Sequence, residues 1–432
     1  MILSFPIVPP ATINMVSSTL LTISVACGLA NAAPASWKGG WKPWPKHGHH
    51  EEGNGINVQL GPRPYYLVDD MDEGSLKEKL ESCSNGPFYT SSYSIAHRGA
   101  PLMFPEHSRE GYVAAARMGA DRELVCRHSN CDLHYTTDIL AHPDLAAKCT
   151  EPFTPYDPET GTPASAKCCT SDITLSEFKS LCAEMEATTF NAVNTSQYMG
   201  RIGSTPDWRT NMYAYSCAET MSLRDQIELV DSMDLNFTAE AKTPEIPMPF
   251  EGNYTQTDFI QQIVDTFEGE GIDADRVWLQ SFLDDDIFYW LDNAQDFGQQ
   301  AIYLDERADA NASAYDAVVA TLPSLADRGV KIMGPSSWML VTVDNSTGKI
   351  VPSSYATTAK EAGLDIITWS FERSGPLENG GGYYYESVDS KINNDGDEYT
   401  VIDVIARQVG AKKIFSDWAA TITYYANCMG LE

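Results

Sequence analysis

Two histidines, one carboxylate and three further side chains stand where acid–base and phosphate chemistry would need them. His97 closes the apolar run 94–97 and is followed by Arg98 and Gly99, while His128 closes the run 124–128. Glu240 and Lys242 end the run 235–242 two positions apart, so on a strand they share a face. Trp369 lies in DIITWSF, 365–371. A carboxylate such as Glu240 can hold a divalent metal, Mg2+ or Ca2+, which with Arg98 or Lys242 would neutralise phosphate oxygens while His97 and His128 act from opposite sides as acid and base. Trp369 either packs the mouth of the fold or stacks on part of a substrate.

Positioning these groups takes a scaffold with several strand ends at one face. Eight short apolar or β-branched runs alternate with segments of helical pattern: 94–97, 124–128, 235–242, 277–282, 301–306, 331–335, 365–371 and 413–418. Eight parallel strands close a TIM (β/α)8 barrel, an α/β fold whose chemistry gathers at the C-terminal strand ends. A doubly wound open sheet is the rival, but no glycine-rich dinucleotide fingerprint follows a strand. Residues 133–234 hold five cysteines and a proline-rich run, and read as a disulfide-rich insertion over the active-site face. His134 and His142, inside it, read as surface residues. The acidic run Asp284 to Asp286 reads as a helix start rather than a metal cluster.

With 432 residues, 43% hydrophobic and 21% charged, the chain is long enough for one large barrel. Its net charge of −31 repels nucleic acid and anionic membranes, so a phosphate-bearing partner needs a local cationic site or a metal. Residues 1–33 read as a cleaved signal peptide, with Met15 an alternative start and a single membrane anchor the competing reading; 34–61 read as a flexible tail and 62–432 as one barrel domain. Secretion, five Asn-x-Ser/Thr sequons and ten cysteines agree with an oxidising compartment. The cysteine spacing fits disulfides rather than zinc, and removing Cys27 with the leader leaves an odd number.

HRGAPLMFPEHS from His97, FTAEAK ending at Lys242, WLQSF from Trp278, ITWSF from Ile367 and IFSDW ending at Trp418 follow one another in the order of motifs of the glycerophosphodiester phosphodiesterase family, which the chain resembles from Ile95 to Trp418. The resemblance implies a phosphodiesterase-type TIM barrel, metal-dependent hydrolysis of glycerophosphodiesters or lysophospholipid-type relatives, His97 and His128 as acid and base, Arg98 and Lys242 at the phosphate and Glu240 on the metal. The implied partner is a small phosphodiester or lipid head group, with no nucleic acid and no stable membrane span; the oligomeric state stays open.

The family carries a Glu-x-Asp pair of metal ligands before its second histidine, and here that pair is missing. The helical run 109–120 passes straight into Asp121, Arg122 and Glu123, leaving His97 and His128 only 31 positions apart. Asp121 and Glu123 are the available substitute carboxylates, in reversed order. Either the recorded sequence lacks a segment of an intact enzyme, or the chain is a catalytically impaired secreted barrel that acts as a binding or wall-associated protein.

Overall fold

The apolar runs are buried along nearly their whole length, as strands lying between a filled barrel interior and an outer ring of helices must be. In the computed structural model, which describes residues 57–126, 131–186, 189–200, 205–309 and 314–431 and no side chains within 123–126, eight parallel strands close on one another. They are β1 (Ser91–Ala96), β2 (Ala120–Cys126), β3 (Asn236–Ala241), β4 (Val277–Ser281), β5 (Ile302–Asp305), β6 (Ile332–Pro335), β7 (Asp365–Phe371) and β8 (Lys413–Ser416). β1 pairs with both β2 and β8, which makes the closure complete. The expected leader, the expected tail up to residue 56, and His128 lie outside the described residues.

Each strand feeds a helix: α1 (Arg109–Arg117), α2 (Leu223–Ser232), α3 (Gln256–Gly269), α4 (Asp284–Asn293), α5 (Tyr315–Arg328), α6 (Ser354–Glu361), α7 (Asp397–Asp403) and α8 (Ala419–Met429). Local chemistry fixes their starts. Ser108 caps α1 by accepting from the Gly111 N–H, and Ser222 and Thr255 form reciprocal capping boxes with Asp225 and Asp258 at α2 and α3. The run Asp284 to Asp286 does begin α4, where carboxylates suit the positive end of the helix dipole.

Ile95, Ile302, Leu304, Ile332, Ile367 and Phe415 fill the barrel interior. Burying each contributes about 1.5–3 kcal/mol, so the interior is a packed core and the chemistry is confined to the mouth. At the opposite end Arg122 is buried, its guanidinium 3.8 Å over the Trp278 ring and its Nη1 donating to the Ser92 carbonyl at 3.0 Å. Burial lowers its pKa to about 10.

The short connection before β2 is met by a tight turn. α1 ends at Arg117, Met118 caps it, and Gly119 at φ +87° turns the chain directly into Ala120. Asp121 to Glu123 are therefore strand residues, and the barrel closes without a further segment there.

Residues 131–222 leave the barrel between β2 and α2 and carry three disulfides, Cys131–Cys169, Cys149–Cys168 and Cys182–Cys217. Adjacent Cys168 and Cys169 take different partners. The fourth bridge, Cys83–Cys428, ties the segment before β1 to α8. These bridges take eight of the ten cysteines; Cys27 lies outside the described residues, and Cys126 closes β2, where side chains are not described. His134 departs from the surface placement expected of it. It is buried against Tyr135 and Tyr198, and burial lowers its pKa to about 4.

Candidate ligand site at the barrel mouth

His97 follows β1 directly, Glu240 and Lys242 come from the end of β3, Gln280 from β4, Trp369 from β7, and Asp417 follows β8. The turn after β1 holds Arg98 at φ +62°, a left-handed conformation that a residue with a Cβ adopts at a cost of about 1–3 kcal/mol. Gly99 beside it is at φ +91°, and a Cβ there would lie 2.8 Å from the Gly111 carbonyl carbon, so only glycine lets α1 approach this closely.

The polar groups form one network. His97 Nδ1 lies 2.6 Å from Asp417 Oδ1 and 3.0 Å from Ser370 Oγ. Burial lowers the His97 pKa, Asp417 acts to raise it, and Arg98 and Arg373 reinforce the lowering, so the ring is neutral near neutral pH. Burial opposes ionisation of Asp417, but Arg373 and His97 overcome it and hold its pKa low. An ionised Asp417 makes Nδ1 the donor, leaving Nε2 as the acceptor on a ring that lines the mouth.

Arg98 Nη1 binds Glu106 Oε2 at 2.8 Å, while Arg373 Nη1 binds Glu106 Oε1 at 2.8 Å and Asp417 Oδ2 at 2.7 Å. Arg373 also faces Glu186 at 3.6 Å, and Arg209 pairs with Glu186 from the other side. Glu106 and Glu186 are hydrogen-bonded to each other and compete for one proton. Burial raises both, but Arg98 and Arg373 hold Glu106 well below the usual carboxylate range. Glu186, facing the Glu106 charge, is pushed up to about 7.

These groups surround a cavity of about 90 Å³ lined by His97, Arg98, Lys242, Arg373 and Gln280 on its polar side and by Phe282, Trp369 and Tyr384 among its aromatic side chains. Among the lining residues Glu240 is the one carboxylate, and Lys242 Nζ already binds it at 2.6 Å. Burial raises the Glu240 pKa, but Lys242 and Arg98 overcome it and hold the carboxylate ionised. Trp369 donates its indole N–H to the Gly334 carbonyl at 2.7 Å and meets Phe282 edge to face at 5.7 Å. The buried Gln280 side-chain oxygen has no hydrogen-bond partner among the described residues, so the wall keeps an acceptor for a ligand hydroxyl or amine.

The structure thus brings His97, Arg98, Glu240, Lys242 and Trp369 to one cavity. It does not bring Asp121 there. Glu240 stands opposite Cys126 at the mouth end of β2, whereas Asp121 sits near the other end, bound to Arg122 at 3.1 Å and to Asn236 at 3.0 Å. His128 and the Glu123 side chain lie outside the described residues. Arg373, Asp417, Glu106 and Glu186 belong to the site as well. Asp417 carried a signal, an acid just past the last strand, and Arg373 a weaker one, a cation two residues past β7.

The expectation of metal-dependent, two-histidine hydrolysis is corrected by this geometry. Among the described residues no three His, Cys, Asp or Glu side chains form a group able to hold a metal ion. Mg2+ and Ca2+ favour six or more oxygen ligands, and the described mouth offers one carboxylate already neutralised by lysine and flanked by guanidinium groups. The described donor set does not fit a divalent cation.

No family model matches the chain. Over 243 residues it is 43% identical to an extracellular protein of Arthroderma benhamiae, a match that spans 56% of this chain and 97% of that one. Among solved structures it is similar to one assigned as a glycerophosphoryl diester phosphodiesterase from Silicibacter pomeroyi, with 15% identity, coverage of 82% of this chain and 98% of that one, and a TM-score of 0.50. A second, with the same assignment and from Agrobacterium tumefaciens, shares 14% identity over 79% of this chain and 98% of that one at a TM-score of 0.45. At 15% identity the first likeness speaks for the fold alone, a barrel of the glycerophosphodiester phosphodiesterase type.

Proposed function

From a chain that belongs to one family with the extracellular protein of Arthroderma benhamiae, and is itself extracellular, we propose a binding protein whose barrel mouth holds a small phosphate-bearing anion, such as a phosphodiester or a lipid head group, without cleaving it. The observation that carries this reading is the convergence of three cationic hydrogen-bond donors on one cavity wall. Arg98, Lys242 and Arg373 line it together and turn their N–H groups on one cavity, their charges balanced by Glu240 at Lys242 and by Glu106 and Asp417 behind the arginines. The acids behind the arginines orient them, as bidentate guanidinium recognition of phosphate oxygens requires. The cavity also gathers three cationic donors at one place on a chain whose net charge is −31.

Among the described residues no helix is long and apolar enough to cross a membrane. Calorimetric titration of the purified protein with glycerophosphocholine tests the reading. Saturable binding that weakens with salt is expected, with no release of choline in magnesium or calcium. Lys242→Gln removes one charge-assisted contact and should weaken binding by about 10- to 100-fold. Metal-dependent turnover, or no binding at all, would overturn the proposal.

A further inference from the structure

Five Asn-x-Ser/Thr sequons mark where an extracellular chain can take an N-linked glycan, and the structure sorts them. Asn236 opens β3 opposite Arg122 of β2, and its amide nitrogen donates to Asp121 at 3.0 Å, so a sugar there would part the two strands. Asn311 lies outside the described residues, while Asn194, Asn253 and Asn345 are exposed. Asn253 stands in the turn between β3 and α3, where the Phe250 and Tyr254 backbones exchange hydrogen bonds at 2.7 and 3.0 Å and Gly252 is at φ +85°. It also lines a groove of about 810 Å³, within the range of about 300–1,000 Å³ usual for a ligand site. One wall of the groove is the segment after β3, with Ile246, Met248 and Phe250 half-buried; Leu175 and Phe178 of the insertion face it. Leu175 is 60% exposed, a large apolar side chain left open to water. The cations in the lining already have carboxylate partners: Lys179 binds Asp225 at 2.8 Å, Arg224 binds Glu270 at 3.0 Å and Lys242 binds Glu240 at 2.6 Å. By contrast, the Gln256 side-chain oxygen, also in the lining, is buried with no hydrogen-bond partner among the described residues. Apolar walls, paired charges and an unmet acceptor suit an uncharged occupant with C–H groups on its faces and hydroxyls on its edge, which is the chemistry of a sugar ring.

We propose that Asn253 carries an N-linked glycan whose first sugars lie in this groove and bridge the segment after β3 to the insertion. The inference is independent of the anion site at the mouth. In the transfer, the Asn253 amide nitrogen bonds to the anomeric carbon of the first N-acetylglucosamine of a polyprenyl-pyrophosphate-linked oligosaccharide. The bond from that carbon to the pyrophosphate oxygen breaks, the pyrophosphate leaves with the electron pair, and the nitrogen gives up a proton. Transfer to the unfolded chain leaves the Thr255 hydroxyl to cap α3 afterwards, where it accepts from the Asp258 N–H. Tethering selects this occupant over a free sugar or peptide. Attachment at the groove's own lining sets an effective concentration on the order of millimolar, so weak contacts suffice to hold it.

The test secretes the full chain from yeast and treats its tryptic peptides with peptide N-glycosidase in heavy-oxygen water, which tags each asparagine that bore a glycan. Asn253 should be tagged and Asn236 should not; an untagged Asn253 overturns the proposal. Lodging in the groove is read separately, as the rate at which endoglycosidase H cuts between the first two sugars. At Asn253 this rate should be about tenfold lower in the native protein than in the tryptic glycopeptide prepared from it. Leu175→Ser, which shortens the facing wall at an exposed position, should bring the native rate part of the way back. Equal rates in native protein and glycopeptide put the sugars in open solvent and overturn their place in the groove. A slow native rate that a folded Leu175→Ser protein leaves unchanged puts them against another surface, and overturns it as well.

Discussion

Glu186 reaches the mouth from the insertion and meets Glu106, which comes from the turn after β1, so a single proton sits between two parts of the chain. Its pKa of about 7 stands above the ordinary 4.5, so the folded state holds that proton more tightly than the unfolded one. Between these values the folded state binds more protons, and stability falls as pH rises from 4.5 to about 7. Glu106, held low by the arginines, loses its contribution only as pH falls below the ordinary range and does not act in this window. His97, depressed below 6.5, contributes with the opposite sign, so the informative quantity is the difference between wild type and Glu186→Gln. Urea unfolding at pH 5 and pH 8 should show wild type losing stability relative to the variant at the higher pH; equal losses would contradict the shared proton. A second expectation is that NMR titration finds the His97 ring neutral at pH 7, and that Asp417→Asn lowers its pKa further by removing the charge that raises it. Sequence reading reached His97, Arg98, Glu240, Lys242 and Trp369 because each stands at or beside a strand end. Glu186 and Arg209 were out of reach. They arrive from an irregular insertion whose backbone path no periodicity reports, and their meaning comes from partners far away in sequence. His134 was misread for the same reason, since its cover is Tyr198, 64 positions away.

The eight strands were legible as elements because each is a short, nearly continuous apolar run, buried on both faces between the barrel interior and the helices, and separated from the next by a segment of helical pattern. The start of β2 was the exception. Asp121, Arg122 and Glu123 do not look like strand residues, and what makes them so is the tertiary cover of Arg122 by Trp278 and the Ser92 carbonyl. That strand depends on the turn before it. A Cβ at Gly119 would sit 2.6 Å from Thr423 Cγ2 at a φ of +87°, so the position is constrained by both sterics and backbone conformation. Gly119→Ala should destabilise the protein by about 1–3 kcal/mol in urea unfolding. Thr423→Ser, which deletes the clashing methyl, should recover part of the loss but not the backbone share. Full tolerance of the alanine would mean that β2 does not need its present turn.

At the scale of the whole molecule, the disulfides divide the work. Three bridges hold the insertion, whose own apolar cluster includes Leu133, Ile139 and Phe178. Cys83–Cys428 joins residues 345 apart around the entire barrel. Replacing both of its cysteines by serine should cost about 2–5 kcal/mol and lower the thermal midpoint, while leaving the mouth ligand affinity unchanged. The even pairing of eight cysteines was open to sequence reading in its compartment and chemistry, but the partners depend on the path of the insertion.

The position of that last bridge also decides how the molecule carries tension. A pull applied to the chain just before Cys83 and just after Cys428 is transmitted from one segment to the other through the sulfur–sulfur bond. The barrel strands lie inside the bridged loop and are mechanically bypassed, as long as the bond is oxidised. Stretched between two attachment points outside the loop, the protein would keep its ligand site under loads that would unravel the reduced form, a behaviour that force spectroscopy with and without reductant can read directly.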